Sequence, residues 1–458
     1  MDKLTAVLAI STGLLWTSAV EGVIAQTLDE TLIKAYSQNP ALSAARARLR
    51  AADEEVPQAL SNWRPIIGLT GSAGVQRSDS TTTGPAAKVA DVTEPLTATL
   101  SITQNLYRGG RTYASVEEAE SNVNADRAHL ASVEQLVLLE AATAYADVVR
   151  DQAVLKLNQN NERVIRRQLE ATKDRFNVGE LTRTDVSQAE SRVASARAER
   201  IAAEGKLISS RAAYENSVGE TPGELQSANP LSYLARSLSE AVDRATARNP
   251  DVVRARFLEK AAEHSVHEIA GELLPTITLN GSAQSTEERS TPRSESQTIE
   301  VTAQFSMPLY ASGAVTSRMR AAKQIVFQRR DEFNQAVRNA VKDAKGAWQA
   351  WQTSRAQINA FGAAVKAAEV ALEGVREEAN VGSRTPLDVL DAEQELLDAR
   401  VGLVLARRDE LVATYELSEA MGELTAEELK LSVQLYNPDT HYKKVRGKWW
   451  GLTAGEVK

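Results

Sequence analysis

Few side chains in this sequence have a pattern typical of a functional site, and the most suggestive are carboxylates. Thr385-Pro386-Leu387-Asp388 has the form of a capping box, in which the threonine caps a helix and the proline takes the first helical position. Asp391 follows one turn later on the same face. Thr182-Arg183-Thr184-Asp185 has the same form earlier in the chain. Such carboxylates could attract cations, or they could only stabilise helix starts, and both interpretations stay open for the two capping aspartates.

No pattern for catalysis, a cofactor or a metal is found. The chain has no cysteine and four histidines. His267-Glu268 begins a zinc-protease motif, but Gly271 stands where its second histidine belongs. Gly205-Lys206 lacks the serine or threonine of a nucleotide-binding loop, because Leu207 follows, and Arg200 replaces the first glycine. The sequence predicts a protein that is not an enzyme and binds no cofactor.

Composition predicts long helices rather than a compact enzyme core. Aromatic residues make up 5% of the 458 residues, and long tracts rich in alanine, glutamate and arginine contain no helix breaker. The 53 basic and 61 acidic residues give a net charge of −8 and a pI near 5.4. No phosphate-neutralising surface is expected, so nucleic acid is excluded as the partner.

The amino terminus resembles an export signal. Lys3 precedes Leu4–Val20, which has no charge, and Val23-Ile24-Ala25 offers small or branched residues before a cleavage point. We therefore expect residues 1–25 to be a signal peptide and the mature chain to begin near Gln26. A membrane anchor is the alternative, although the apolar segment is at the short limit for a spanning helix.

The chain contains a tandem repeat, which indicates one pseudo-symmetric body. The first part of each half recurs at a shift of 210 residues, as shown by Leu28 and Leu238, Asn39-Pro40 and Asn249-Pro250, and Pro65 and Pro275. The second part recurs at a shift of 203, as shown by Leu106-Tyr107 and Leu309-Tyr310, Val178-Gly179 and Val381-Gly382, and Gly219 and Gly422.

Two segments in each half alternate with period two and predict four strands in two hairpins. Apolar residues occupy one face, listed strand by strand as Ile67, Leu69, Ala73 and Val75; Leu96, Ala98, Leu100 and Ile102; Ile277, Leu279 and Ala283; and Ile299, Val301, Ala303 and Phe305. The opposite face is mostly Thr, Ser, Asn and Gln. The connections around 78–84 and 287–296 are rich in Ser, Thr and charge and are expected to be exposed loops.

The remaining sequence predicts very long helices. Arg111–Val178 lacks both Gly and Pro, and Ala314–Val381 lacks Pro, so each could extend for roughly 100 Å. Apolar residues at alternating spacings of three and four indicate coiled-coil packing. Returning helices are expected over Asp185–Val218 and Pro386–Met421. Because these are shorter, helices over 28–61 and 238–274 are expected to stack end to end with them.

Four strands with one apolar face pose a closure problem. An apolar face in lipid requires a sheet with no free edge, and about eight strands are needed to close a barrel. Several copies must therefore share one barrel. Two copies would give 8 strands and three would give 12, and the larger barrel leaves an aqueous lumen that suits the polar inward faces. The fold class expected is mainly α with a membrane β-barrel portion.

Two motifs resemble the TolC-type outer-membrane efflux and secretion channels: 175–179 with Thr184-Asp185-Val186, and 381–392. The resemblance extends from about Thr27 to about Leu431 and includes the repeat. It implies a homotrimer with a shared 12-stranded barrel in outer-membrane lipid and a helical tunnel through the periplasm. It also implies a periplasmic adaptor, or membrane fusion protein, and an inner-membrane transporter of the RND or ABC type as partners.

The resemblance further implies a passive conduit that opens at its periplasmic helix tips and carries drugs, toxic compounds or type I secreted proteins. After the signal peptide, the resemblance implies seven segments of the chain. The first three are helices at 26–64, a barrel hairpin at 65–107 and a helical hairpin at 108–229. The same three recur at 230–274, 275–310 and 311–430, and a tail follows at 431–458.

Particular residues acquire roles only through this resemblance. Asp388 and Asp391 are similar to the acidic rings at the tunnel constriction. Residues expected to hold the tips closed are Thr184, Asp185 and Arg384. Residues expected to meet the adaptor are Val178, Gly179, Val381, Gly382 and Ser383. Ala379 stands where a tyrosine often helps to latch the closed tip, which puts the strength of that latch in doubt.

Two other classes of protein are alternatives to an outer-membrane channel, and the carboxyl-terminal tail has no assigned role. A periplasmic coiled-coil adaptor is the main alternative, but it would usually have one helical hairpin. A coiled-coil filament would have no need of duplicated strands. The basic tail 443–450, with Trp449 and Trp450, could contact a membrane interface or a partner, but the simpler expectation is a disordered extension.

Overall fold

The computed structural model describes residues 26–80, 89–232, 234–287 and 294–453. The predicted signal peptide and parts of both predicted loops lie outside these ranges. Helices dominate, in the order α1 Leu28–Gln38, α2 Pro40–Asp53, α3 Glu55–Ser61, α4 Arg111–Asn177, α5 Arg183–Val218, α6 Leu238–Arg248, α7 Pro250–Ala270, α8 Ala314–Asn380, α9 Pro386–Ala420 and α10 Pro438–Arg446. Within the described ranges, no helix combines the length and the hydropathy needed to traverse a bilayer.

The four long helices agree with the predicted spans to within two residues. The amino-terminal helices differ, because each predicted single helix is divided. Asn39 caps α2 through its side chain and Asn249 caps α7 in the same way, each followed by proline at the first helical position. The Asn-Pro pairs that revealed the repeat therefore also break these helices.

The predicted end-to-end stacking is present in both halves. The side-chain amide of Asn39 donates to the carbonyl oxygen of Ser217 at 3.0 Å, which places the start of α2 at the end of α5. The amide of Asn249 donates to the carbonyl of Ala420 at 3.2 Å, which places the start of α7 at the end of α9. One repeated side chain thus joins two shorter helices into each long column.

The strands are β1 Ile66–Ala73, β2 Gln76–Ser80, β3 Val89–Thr93, β4 Leu96–Arg108, β5 Thr276–Glu287 and β6 Glu295–Ser306. The main sheet has the antiparallel order β1-β4-β5-β6, so β4 and β5 join the two predicted hairpins across the repeat. The first hairpin differs from the prediction, because β2 and β3 pair as a separate ribbon where an exposed loop was expected. Gly74 and Pro95 lie between this ribbon and the main sheet.

The strand register aligns the apolar residues on one face. Leu69 pairs with Leu100, Leu100 pairs with Ala283, and Ala283 pairs with Ile299. Because directly paired residues point to the same side, one apolar band crosses all four strands. Its side chains are exposed, with Ile299 84% and Val301 70% accessible. The face predicted from period-two alternation is confirmed.

The largest apolar core lies where α1 and α2 pack on α4. Leu32, Leu138 and Tyr145 are fully buried there. The Tyr145 hydroxyl donates to the carbonyl oxygens of Gln226 and Gln26, which satisfies its buried polar atom and attaches the segment after α5.

The carboxyl-terminal tail is ordered through residue 453, and the expectation of a disordered extension is wrong. Its helix α10 packs on α2 and α3, and Val445 is buried. Composition alone predicted disorder because the tail is basic, but its charges meet acidic partners on α2 and α4.

Candidate functional site

The two long hairpins end in matching turns. Gly179 and Gly382 have φ values of +84° and +81°, a backbone region that only glycine adopts without strain. Val178 and Val381 are 72% and 79% exposed at the extreme end of each hairpin. The Val-Gly pairs therefore form the turns, as predicted, and present an apolar side chain to solvent.

Both predicted capping boxes are present. Thr385 accepts from the backbone N–H of Asp388, and the Asp388 carboxylate accepts from the backbone N–H of Thr385 at 2.9 Å. Thr182 and Asp185 repeat this arrangement, with the return bond at 2.8 Å. These hydrogen bonds favour the charged carboxylates and lower the pKa of both Asp185 and Asp388. Both aspartates cap helices, and their charge remains available to solvent.

Arg384 bonds within its own turn. Its Nε donates to the Glu378 carboxylate at 2.9 Å, which raises the pKa of the Arg384 guanidinium. The Ser383 hydroxyl donates to the Glu378 carbonyl oxygen at 2.8 Å. In the described protomer Arg384 is thus placed with Glu378 rather than with Asp185. Thr184 lies exposed in the first turn of α5.

Asp391 has a partner that the sequence analysis missed. Its carboxylate forms an ion pair with Arg192 of α5, so the pair joins the tip of one hairpin to the tip of the other. Asp391 is about half exposed. Arg192 lies seven residues after Asp185, two turns along the same face of α5. An arginine near the start of α5 and an aspartate near the start of α9 were the only sequence signal for this ion pair.

The repeat makes this pair asymmetric. The counterpart of Asp391 at a shift of 203 is Gln188, and the counterpart of Arg192 is Glu395. The first hairpin therefore supplies the cation and the second supplies the anion. These four positions allow one ion pair in each protomer, because the counterparts Gln188 and Glu395 do not have opposite charges.

A groove separates the ends of the two hairpins. It has a volume of about 470 Å³ and lies between the last turns of α4 and the turn joining α8 to α9. Its lining includes Gln168, Thr172, Arg175, Ala379 and Val389. The methyl group of Ala379 borders this groove. Ala379 is the position at which the resemblance to TolC-type channels implies that a tyrosine often stands.

The incomplete zinc-protease and nucleotide-binding motifs lie inside helices. Gly205-Lys206 is within α5, and His264 and His267 are within α7, so none forms a substrate-binding loop. Among the described residues, no group of three or more His, Asp or Glu side chains is arranged to hold a metal ion.

An exposed apolar band on an open sheet, mounted on helical hairpins about 100 Å long with acidic tips, defines the class of outer-membrane export channels. The chain belongs to the outer membrane efflux protein family, whose model matches residues 32–220 and 241–423. The two matched segments correspond to the two repeats. This is a family of channels and not of enzymes, and the alternative of a periplasmic adaptor is excluded.

Similar proteins agree over nearly the whole chain. The outer membrane efflux protein BepC of Brucella suis biovar 1 (strain 1330) is 35% identical over 434 residues, which are 94% of this chain and 93% of BepC. The outer membrane protein TolC of Vibrio cholerae serotype O1 is 28% identical, covering 89% and 93%. The Campylobacter jejuni CmeC outer membrane channel has the same fold, with a TM-score of 0.78 at 15% identity over 97% of this chain and 98% of CmeC. The chain is an outer-membrane efflux channel.

Proposed function

We propose that three copies of this chain form one conduit from the periplasm to the exterior. The observation that supports this most directly is the open four-stranded sheet. Among the residues that the structure describes, its outer strands β1 and β6 each have one edge with no strand partner, and the side chains of its apolar band are exposed. In lipid both edges must be paired, and three sheets joined edge to edge make a closed 12-stranded barrel.

We further propose that Asp388 and Asp391 become two rings of three carboxylates at the periplasmic entrance. In the protomer the Asp391 carboxylate is about half exposed, and the Asp388 side chain is half-buried at the start of α9. In the protomer, hydrogen bonds from the backbone N–H and the hydroxyl of Thr385 lower the pKa of Asp388 and favour its charged form. Stacked carboxylate rings in a narrow entrance favour cations and exclude anions.

The closed entrance is held by contacts between tips. Thr184, Asp185 and Arg384 are exposed or half-buried at these tips, which supports their proposed role in contacts with neighbouring subunits. Ala379 leaves the adjoining groove open, so in this chain the latch relies on polar contacts, including the Arg192 bridge to Asp391. Separation of the hairpins opens the entrance as a two-state element.

The hairpin turns are the proposed docking surface for a periplasmic adaptor. Val178 and Val381 are prominent apolar side chains beside glycines that allow a close approach. The docking residues are Val178, Gly179, Val381, Gly382 and Ser383. The adaptor would connect the channel to an inner-membrane transporter of the RND or ABC type, which supplies the energy.

The chain itself is proposed to catalyse no reaction and to bind no cofactor. Drugs, toxic compounds and type I secreted proteins can use the same passive conduit, because selection rests with the transporter. Residues 1–25 are proposed to be removed as a signal peptide during export.

Single-channel conductance in planar bilayers tests this proposal. We expect cation-selective pores that a trivalent cation blocks from the periplasmic side. The combined substitution Asp388→Asn and Asp391→Asn should weaken block by about tenfold or more, equivalent to about 1.4 kcal/mol. Asp174→Asn, which removes an exposed carboxylate near the end of α4 with no assigned role at the entrance, should retain the block.

Two results would contradict the proposal at different levels. If the purified protein forms no pores, the conduit is wrong. If it forms pores whose block is unchanged in the Asp388 and Asp391 variant, these residues only cap and bridge helices.

A further inference from the structure

The carboxyl-terminal strap, defined as residues 438–453, runs along the outside of α4 toward the sheet. Asp439 near its start pairs with Arg127 at 2.7 Å, and Arg446 near the end of α10 pairs with Glu120 at 2.9 Å. The second α4 contact lies seven residues closer to the strands, a distance of about 10 Å along the helix. The strap therefore advances toward the foot of the sheet as the chain proceeds.

Buried contacts fix this path. His441 Nδ1 lies 2.9 Å from a carboxylate oxygen of Asp53, whose side chain is fully buried. The Tyr442 hydroxyl donates to Glu120, and the guanidinium of Arg127 lies 5.2 Å from the centre of the Tyr442 ring. The buried contact between His441 and Asp53, together with the cation–π contact, holds the helix in one register.

The strap ends beside the first residues of the lipid-facing sheet. Arg64 Nη1 donates to the carbonyl oxygen of Lys448 at 2.7 Å, and the Arg64 guanidinium lies 5.2 Å from the centre of the Trp449 ring. Arg64 stands two residues before β1. The preceding carbonyl, of Trp63, accepts from the Gln104 side chain of β4 at 2.7 Å. Trp449 is thus positioned within one side-chain length of the base of the sheet.

Apolar side chains and cations gather at this end of the strap. Trp450 is 87% exposed, Trp449 and Leu452 are also exposed, and Trp63 is about half exposed beside Arg64. Lys443 and Lys444 are exposed on α10. Tryptophan prefers the boundary between headgroups and acyl chains, and lysine favours anionic headgroups.

We propose that the strap is a second membrane attachment, in which Trp449, Trp450 and Leu452 enter the headgroup boundary of the periplasmic leaflet of the outer membrane. The occupant is phospholipid, because Arg64, which holds Lys448 and Trp449, lies two residues before β1, where the exposed Ile66 and Ile67 begin the lipid-facing strand. The proposal requires the sheet to lie in the membrane.

The absence of native cysteine allows a direct test on the full-length protein. Trp450→Cys is labelled with bimane, the protein is reconstituted in vesicles of phosphatidylethanolamine and phosphatidylglycerol, and quenching by lipids with a headgroup-region nitroxide is measured. Val381→Cys, an equally exposed position at the far tip, is the aqueous control. Val301→Cys, on the apolar band, reports separately whether the sheet is inserted.

We expect the label at Trp450 to be quenched at least about threefold more than the label at Val381, while the label at Val301 responds most to nitroxide placed deep in the acyl chains. Quenching at Val301 without quenching at Trp450 would overturn the attachment and leave the channel intact. Excimer formation by a pyrene label at Trp450, together with no lipid quenching, would assign the patch to a second copy of the chain and would also overturn the proposal. Absence of quenching at Val301 would contradict the inserted sheet and, with it, the attachment.

Discussion

The two halves of the chain have the same elements in different surroundings. Helix α4 buries side chains from Thr112 to Thr172 against neighbours of its own protomer, whereas α8, of equal length, buries few and leaves Phe327 and Val370 exposed. Exposed apolar side chains on a long helix favour burial by another chain. The first repeat therefore builds the protomer core, and the second presents more of the surface that an assembly would cover.

The hairpin tips show the same contrast in charge. The turns and capping boxes are duplicated almost atom for atom, but Asp391 has Gln188 as its counterpart. Backbone geometry was retained in both halves while the ionisable side chains diverged. The second tip thus has one carboxylate, Asp391, for which the first tip has no acidic counterpart.

The junction between strand and long helix should show the largest difference between halves. Gly109 has a φ of +63°, and a Cβ there would overlap the backbone oxygen of Gly271. Gly109→Ala should therefore cost about 3 kcal/mol or more, because backbone strain adds to a clash that cannot relax. The measurement is the yield and thermal dissociation temperature of folded trimer in outer membranes.

The neighbouring glycine and the second repeat supply the controls for this junction. Gly110 also has a positive φ but faces open space, so Gly110→Ala should cost only about 1–2 kcal/mol. Ser312, the counterpart of Gly109, already has a side chain at a φ of 51°. Equal losses for Gly109→Ala and Gly110→Ala would contradict the close approach to Gly271.

A smaller difference is expected from the carboxyl cluster around Glu118 of α4. Burial raises the pKa of Glu118 to about 7, and repulsion from Glu268 and Glu55 adds to the shift. In the second half Ala321 occupies the corresponding position. Because the folded pKa exceeds the ordinary value of 4.5, the stabilisation is complete below about pH 4.5 and is lost as the pH rises through about 7.

Glu118→Gln should remove this pH dependence. At pH 8 we expect a gain on the order of 1 kcal/mol, reduced for partial solvent screening, and at pH 5 little change. Thermal unfolding at the two pH values measures the effect, with Glu117→Gln as the control on the same turn. An identical shift at both pH values would argue against an unfavourable charge at Glu118.

The smallest difference is expected at the helix caps, where the two halves match. Thr182→Ala and Thr385→Ala should each weaken the first turn by about 1 kcal/mol. Hydrogen exchange at the amides of Asp185 and Asp388 measures this directly. Since both carboxyl pKa values are lowered, their contribution is present above about pH 3.8 and is lost as the pH falls further. Clearly unequal exchange would show that the closed tips differ in more than charge.

Local patterns predicted much of this architecture. Period-two alternation identified the lipid-facing band, the Val-Gly pairs identified the turns, and Thr385 with Asp388 identified a cap. These features depend on residues close in sequence, where spacing determines which side chains share a face. The repeat then extended each prediction to the other half.

Contacts between distant elements were not predictable in the same way. Arg192 and Asp391 are 199 residues apart, and their pairing depends on how two hairpins lie side by side. The approach of Gly109 to Gly271 and the pairing of His441 with Asp53 likewise join segments far apart in sequence. Helix propensity and hydrophobic periodicity depend on residues close in sequence and give no information on such long-range packing. For this reason the basic tail was expected to be disordered.

We propose that the ion pair between Arg192 and Asp391, which joins the two unlike halves, holds the acidic entrance closed. Single-channel recording of Arg192→Ala tests this claim. The matched control is Arg376→Ala, which removes an ion pair with Glu393 inside the second hairpin. We predict that Arg192→Ala increases the open fraction and strengthens block by a trivalent cation, because Asp391 is freed, while Arg376→Ala leaves both at the wild-type level. Unchanged gating in Arg192→Ala, or equal effects of the two substitutions, would contradict the claim.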